Sequence, residues 1–113
     1  MAISSQLGEV GYPARAAYCA SKHAVNGLVR ALAVEWAPAG IAVNAVAPTF
    51  VDTPMTRPMF EDEAFRAEVL RRMPMGRIGT TSEVAGAIVF LASDAASFIT
   101  GQTLSVSGGY TMM

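Results

Sequence analysis

Residues 16–48 read AAYCASKHAVNGLVRALAVEWAPAGIAVNAVAP. The stretch predicts one long helix from Ala16 to Ala37, stopped by Pro38, Ala39 and Gly40. IAVNAVA (41–47) follows, a β-branched run with little alternation. That pattern fits a strand buried on both faces, and Pro48 ends it. A long helix feeding such a strand is half of a parallel α/β unit.

Working outward, MAIS (1–4) reads as the end of another strand, and SQLGEVGYP (5–13) as a loop punctuated by two glycines and a proline. Beyond the strand, PTFVDTPMTRP is irregular, with prolines at 48, 54 and 58. A helix is expected from Glu61 to Met73. Its first turn is acidic and its last basic, which suits the helix dipole, and Asp62–Arg66 and Glu68–Arg72 stand at the i, i+4 spacing of ion pairs. PMGRIG is a loop. TTSE (80–83) fits a capping box, with Thr80 as N-cap and Glu83 three residues on. The helix it opens, VAGAIVFLAS (84–93), carries no charge and is expected to be covered all round. TLSVS (103–107) reads as a last strand and GGYTMM as a tail. The order is strand, helix, strand, two helices, strand. Parallel strands need such crossovers, which are nearly always right-handed. The predicted fold class is α/β: three strands of a partial doubly wound, Rossmann-like parallel sheet with covering helices. Ligands of such sheets lie beyond the carboxyl ends of the strands, here the loops after Ile3, Ala47 and Val106.

Composition narrows the function. The 113 residues are 52% hydrophobic and 15% charged, with a formal net charge of −1. The length suits one domain. So much apolar content in a chain this small is expected to face a partner, either a further copy or another part of a longer protein. The near-neutral balance argues against nucleic acid, and no stretch reads as a membrane span. A single cysteine, Cys19, excludes an internal disulfide, and the N-terminus lacks the features of a signal peptide. A cytoplasmic protein is the expectation.

Lys22 is the only lysine beside seven arginines, and it stands one helical turn after Tyr18. Tyr18, Lys22, Asn26 and Arg30 form one polar stripe. Ala20, Ala24, Gly27 and Ala31 form a seam of small residues on another face. A phenol ordinarily loses its proton near pH 10, too high for a base at neutral pH; a cation within about 4–6 Å favours the phenolate. A compact ammonium can do this while also donating to a sugar hydroxyl, where a guanidinium fork fits poorly. A serine nearby can hold the reacting oxygen. Tyr-x-x-x-Lys alone is a short motif that arises by chance, and a surface lysine beside a core tyrosine reads it as well.

The surrounding residues add to it. ISSQLG, YCASKHAVNGLVRALAVEWAPAGIAVNAVAP, PTFVDTPM and PMGRIGTTSEVAGAIVFLASDAASFITGQTLSVSGG, in this order, resemble the short-chain dehydrogenase/reductase family through essentially the whole chain, closest to sugar- and polyol-oxidising or 3-oxoacyl-reducing members. The resemblance implies NAD(P)-dependent hydride transfer between nicotinamide and a carbonyl or secondary alcohol. It implies Tyr18 as acid–base, Lys22 as its modulator and ribose ligand, and Ser5 as the residue orienting the substrate oxygen. It implies a nicotinamide cradle at Pro48, with backbone from Val51 and a hydroxyl from Thr53. Thr49 stands where the family usually has glycine, and Ser107 where aspartate is common. The family's glycine-rich phosphate turn and its Asn-Asn-Ala-Gly strand end have no counterpart. Residues 1–113 are therefore expected to be the C-terminal catalytic half of such a domain, binding NAD or NADP weakly unless completed by an N-terminal half. The alternative is a non-catalytic fragment that associates with itself as a homo-oligomer. Of the remaining candidates, Cys19 reads as a small buried residue and His23 as a helix-surface residue. Asn26 and Arg30 read as solvated or paired at an interface. The methionines at 55, 59, 73 and 75 suit either an adaptable pocket or simple packing.

Overall fold

The computed structural model describes residues 1–112. Three short strands form one parallel sheet in the order β1 (Ala2–Ile3), β2 (Ala45–Pro48), β3 (Thr103–Val106). Ala2 and Ile3 pair with Ala45 and Val46, and Ala45 to Pro48 pair with Thr103 to Val106. The predicted order of elements is the observed one, with shorter strands. Residues 41–44 lie outside β2 because their polar groups are used differently. The Val43 N–H donates to the Thr100 hydroxyl, and the Asn44 side chain joins the Ile99 carbonyl to the Gln102 N–H.

Helix α1 (Ala16–Trp36) is the long predicted helix, closed by a 3-10 turn at Ala37–Ala39 and by Gly40 in the left-handed region. Helix α2 (Glu63–Arg71) starts later than expected because Asp62 is its N-cap: the carboxylate accepts from the Ala64 and Phe65 N–H groups. Asp62 is thus spent on the helix start, and the expected pair with Arg66 is not among the ion pairs of the described residues; Glu68–Arg72 forms at 3.1 Å. Helix α3 (Thr81–Leu91) has the predicted capping box, with Thr80 and Glu83 each satisfying the other's backbone.

Successive strand residues point to opposite faces, and β2 shows what each face meets. Ala45 packs in a cluster with Val29 and Ala33 of α1, while Val46 packs with Leu91 and Ile88 of α3. The helices therefore cover opposite faces, although both connections step the same way across the sheet. Two such crossovers have opposite hands, so one breaks the right-handed rule on which the sequence reading relied. A third cluster caps the carboxyl edge: Val69 from α2 and Met73 just after it, with Phe50, Phe60, Phe65 and Tyr110. Three phenylalanine and tyrosine rings meet Phe50 edge-on at 5.8–6.2 Å, a favoured geometry for aromatic pairs. Tyr110 is only 6% exposed. The expected tail is instead a 3-10 turn, Tyr110–Met112, seated in this cluster.

Candidate active site

Ser5 follows β1 in extended conformation and caps the 3-10 turn Gln6–Gly8, its hydroxyl oxygen accepting from the Leu7 N–H at 3.2 Å. That leaves its O–H as a free donor. The turn is pressed against α1. A Cβ on Gly8 would lie 2.7 Å from Ser4 Oγ and 2.8 Å from the Lys22 carbonyl oxygen, so only glycine fits without displacement. Asn26 locks the contact, donating from Nδ2 to the Gly8 carbonyl at 2.8 Å and accepting from the Thr103 hydroxyl. Asn26 is buried, a correction to its expected solvated place on the polar stripe. Arg30, one turn further, is exposed.

Lys22 donates from Nζ to the Ile3 carbonyl at 3.1 Å, and the same ammonium lies 5.7 Å from the centroid of the Tyr18 ring. The strand end thus aims the lysine, and two of its three N–H donors remain. Tyr18 and Ser5 line one cavity of about 400 Å³. Leu7, Phe50 and Phe65 give it apolar walls, and Gln6, Thr49 and Thr56 give it polar atoms. A larger groove of about 880 Å³ runs between α1 and β3 past His23 and Arg30, and holds none of the predicted site residues.

Pro48 ends β2, and the Thr49 N–H donates to the Val106 carbonyl at 3.2 Å. The Thr49 hydroxyl meets the Gln6 side-chain oxygen, so the departure from glycine at 49 ties the turn to the serine loop. Val51 forms a single parallel bridge with Gly79, through Gly79 N–H to the Phe50 carbonyl and Asp52 N–H to the Gly79 carbonyl. Its own carbonyl takes the Thr56 hydroxyl, and its N–H donates to no group among the described residues. The Thr53 hydroxyl is engaged by Thr56 at 3.0 Å. Thr56, not Thr53, lines the cavity with Ser5 and Tyr18.

Sequence reading overlooked Thr56, Gln6 and Arg15 as lining residues, since they become neighbours only when segments 5–18 and 49–65 close on one another. The methionines divide: Met59 lines the cavity, Met73 is core, Met55 and Met75 are exposed. Cys19 is half-buried, and exposed His23 bonds the Cys19 carbonyl. Among the described residues no group of three metal-ligating side chains converges, and no helix is long and apolar enough to cross a membrane. Arg72 joins α2 to the neighbouring loops: the Tyr110 hydroxyl beside it raises its pKa, and its guanidinium lies 5.6 Å from the Tyr12 ring centroid.

The three-stranded sheet and its covering helices define a fragment of a Rossmann-like fold. The profile of a family described as Enoyl-(Acyl carrier protein) reductase matches residues 1–111, and the chain belongs to the short-chain dehydrogenase/reductase family. It is similar to the 3-oxoacyl-[acyl-carrier-protein] reductase FabG of Salmonella typhimurium, 47% identical over 111 residues, covering 98% of this chain and 45% of the relative. Among solved structures it is similar to a gluconate 5-dehydrogenase from Burkholderia cenocepacia in complex with NADP and tartrate. That likeness has a TM-score of 0.93 and 40% identity, covering 98% of this chain and 44% of the other. A 4-hydroxyisoleucine dehydrogenase complexed with NADH has a TM-score of 0.95 and 34% identity, covering 98% and 46%. The chain spans less than half the length of the curated relatives it matches.

Proposed function

We propose that residues 1–113 are the C-terminal catalytic half of an NAD(P)-dependent oxidoreductase acting on a small carbonyl compound or secondary alcohol. The observation that carries this reading is the sharing of one cavity by Ser5 and Tyr18, with the Lys22 ammonium 5.7 Å from the tyrosine ring. The residues present fit the dinucleotide's nicotinamide end. The unengaged Val51 N–H suits a carboxamide oxygen beside Pro48, and the spare Lys22 donors suit ribose hydroxyls. Relatives solved with NADP and NADH support the same cofactor class. When bound, the nicotinamide supplies or accepts the hydride. The Ser5 hydroxyl donates to the reacting oxygen and holds it in register. In the reducing direction Tyr18 gives its phenolic proton to that oxygen as it gains charge; in the oxidising direction it takes the proton back. The nearby ammonium stabilises the phenolate formed, and the apolar walls strengthen these interactions by limiting water. Thr53 has its hydroxyl occupied by Thr56, which supports a role in shaping the turn.

Steady-state turnover of a secondary-alcohol panel with NAD or NADP, on the chain completed by its N-terminal half, tests this. Tyr18→Phe is expected to lower kcat by about 10²–10⁴ with dinucleotide affinity nearly unchanged. Lys22→Met is expected to lower both. Equal loss of turnover and cofactor affinity in Tyr18→Phe contradicts the assignment.

A second reading, self-association, is favoured by apolar side chains left uncovered. Val89 and Phe90 of α3 are 67% and 43% exposed, and Leu28 and Val34 of α1 are 58% and 78% exposed. The charge-free helix expected to be covered all round is covered on one side only. Sedimentation equilibrium is expected to give a mass above the 11.8 kDa of one chain; a monomer removes this reading.

A further inference from the structure

Arg15 is the one charged side chain lining the cavity that holds Ser5 and Tyr18. Its guanidinium enters none of the three ion pairs among the described residues, in which Asp52, Glu68 and Glu83 are taken by Arg57, Arg72 and Arg77. The first turn of α1 carries no acid, and no acid lines the cavity. A cation in a chain this sparing of charge thus borders the cavity of the proposed reacting groups without an ion-pair partner among the described residues. Its backbone stands at the N-cap of α1, placed by the loop before it. Ala14, immediately before it, has φ 57°, a left-handed conformation that an alanine adopts at a cost and that the surrounding structure must impose. Arg15 is the N-cap of α1, three residues before Tyr18, and both line the same cavity.

A guanidinium presents a planar fork of donors that matches a carboxylate bidentately. The lining supplies only one such cation, and the cavity is small, about 400 Å³. Resting on the reading of Ser5, Tyr18 and Lys22 as the reacting groups, we infer that the substrate is a short hydroxy acid or oxo acid whose carboxylate is bound by Arg15. Its carbon chain lies against Leu7, Phe50 and Phe65, and its reacting carbon sits at Tyr18. Arg15 is then the residue that selects acids over neutral alcohols of the same skeleton.

The test is an amide-resolved NMR titration of the whole chain with 3-hydroxybutyrate and D-gluconate, each against its neutral amide. At least one acid is expected to bind about tenfold tighter than its amide and to shift the Ser5 and Arg15 signals. The preference is expected to vanish in Arg15→Gln and to survive partly in Arg15→Lys. Arg15 makes no side-chain contact that folding needs, and an unchanged amide spectrum of each free variant checks this. Binding of neither acid, equal binding of acid and amide, or a preference that persists in Arg15→Gln overturns the inference. Deuteride transfer from labelled NAD(P)H to neutral 2-butanone by the wild-type chain completed by its N-terminal half separates the two readings. If transfer occurs and the acids fail to bind, only the carboxylate inference falls. If acids bind through Arg15 and no transfer occurs, the oxidoreductase reading falls and the anion site stands.

Discussion

Gly8 shows how much at the residue scale depends on contacts that spacing cannot reveal. The proximity of Tyr18 and Lys22 on α1 was legible from their separation. What presses the loop that carries Ser5 against α1 was not. A methyl group at position 8 meets Ser4 Oγ and the Lys22 carbonyl at 2.7 and 2.8 Å, and the buried Asn26 seals the same contact. In sequence Gly8 is one of several loop glycines and Asn26 one step along a polar stripe. Their partners lie 18 residues away, and only the folded approach of loop to helix joins them. Gly8→Ala is expected to cost about 1–3 kcal/mol through overpacking, read by chemical denaturation. It is also expected to lower turnover by moving α1 away from Ser5. Unchanged stability and turnover in that variant contradict the positioning role.

At the scale of elements, the sequence was most informative where local chemistry decides the outcome. The Thr80–Glu83 capping box was readable and is present. The Glu83 carboxylate is further held by Arg77 at 2.6 Å. Arg77 first, then Thr80, lowers its pKa from 4.5 to about 2. A carboxylate depressed on folding stabilises the native state above its unfolded pKa, and that contribution fades as pH falls toward the folded value. The thermal midpoint is therefore expected to drop between pH 4.5 and about 2. Glu83→Gln should flatten that slope while lowering the midpoint at neutral pH; an identical slope in the variant contradicts the linkage. Element boundaries were less legible where side chains compete with backbone. Asp62 could serve as ion-pair partner or N-cap, and its two backbone contacts decided for the cap. Residues 41–44 looked like strand, yet Asn44 diverts the chain into side-chain hydrogen bonds.

For the whole molecule, the fold class was legible and the hand of one crossover was not, because hydrophobic patterning says that a helix covers a sheet and not which face it covers. The opposed packing of Ala45 and Val46 carries that information. The aromatic cluster over the carboxyl edge was equally hidden, since Phe50, Phe65 and Tyr110 come from separate segments. The apolar excess foreseen from composition appears as surface. The chain exposes 6910 Å², about 1,000 Å² more than a compact monomer of its mass. Its radius of gyration of 15.1 Å likewise exceeds the roughly 13 Å of a compact domain of similar length. An excess of that size is comparable to one partner's share of a stable interface, which agrees with a chain built to be covered by further protein. The central claim is that Ser5, Tyr18 and Lys22 form the acid–base centre of a hydride-transfer site, and isotope transfer tests it most directly. With NAD(P)H deuterated at the transferring carbon, a ketone reduced by the chain completed with its N-terminal half is expected to carry one deuterium on the carbinol carbon. The rate should fall by about 10²–10⁴ in Tyr18→Phe. A carbinol carbon free of deuterium, or a transfer rate untouched by Tyr18→Phe, contradicts the account.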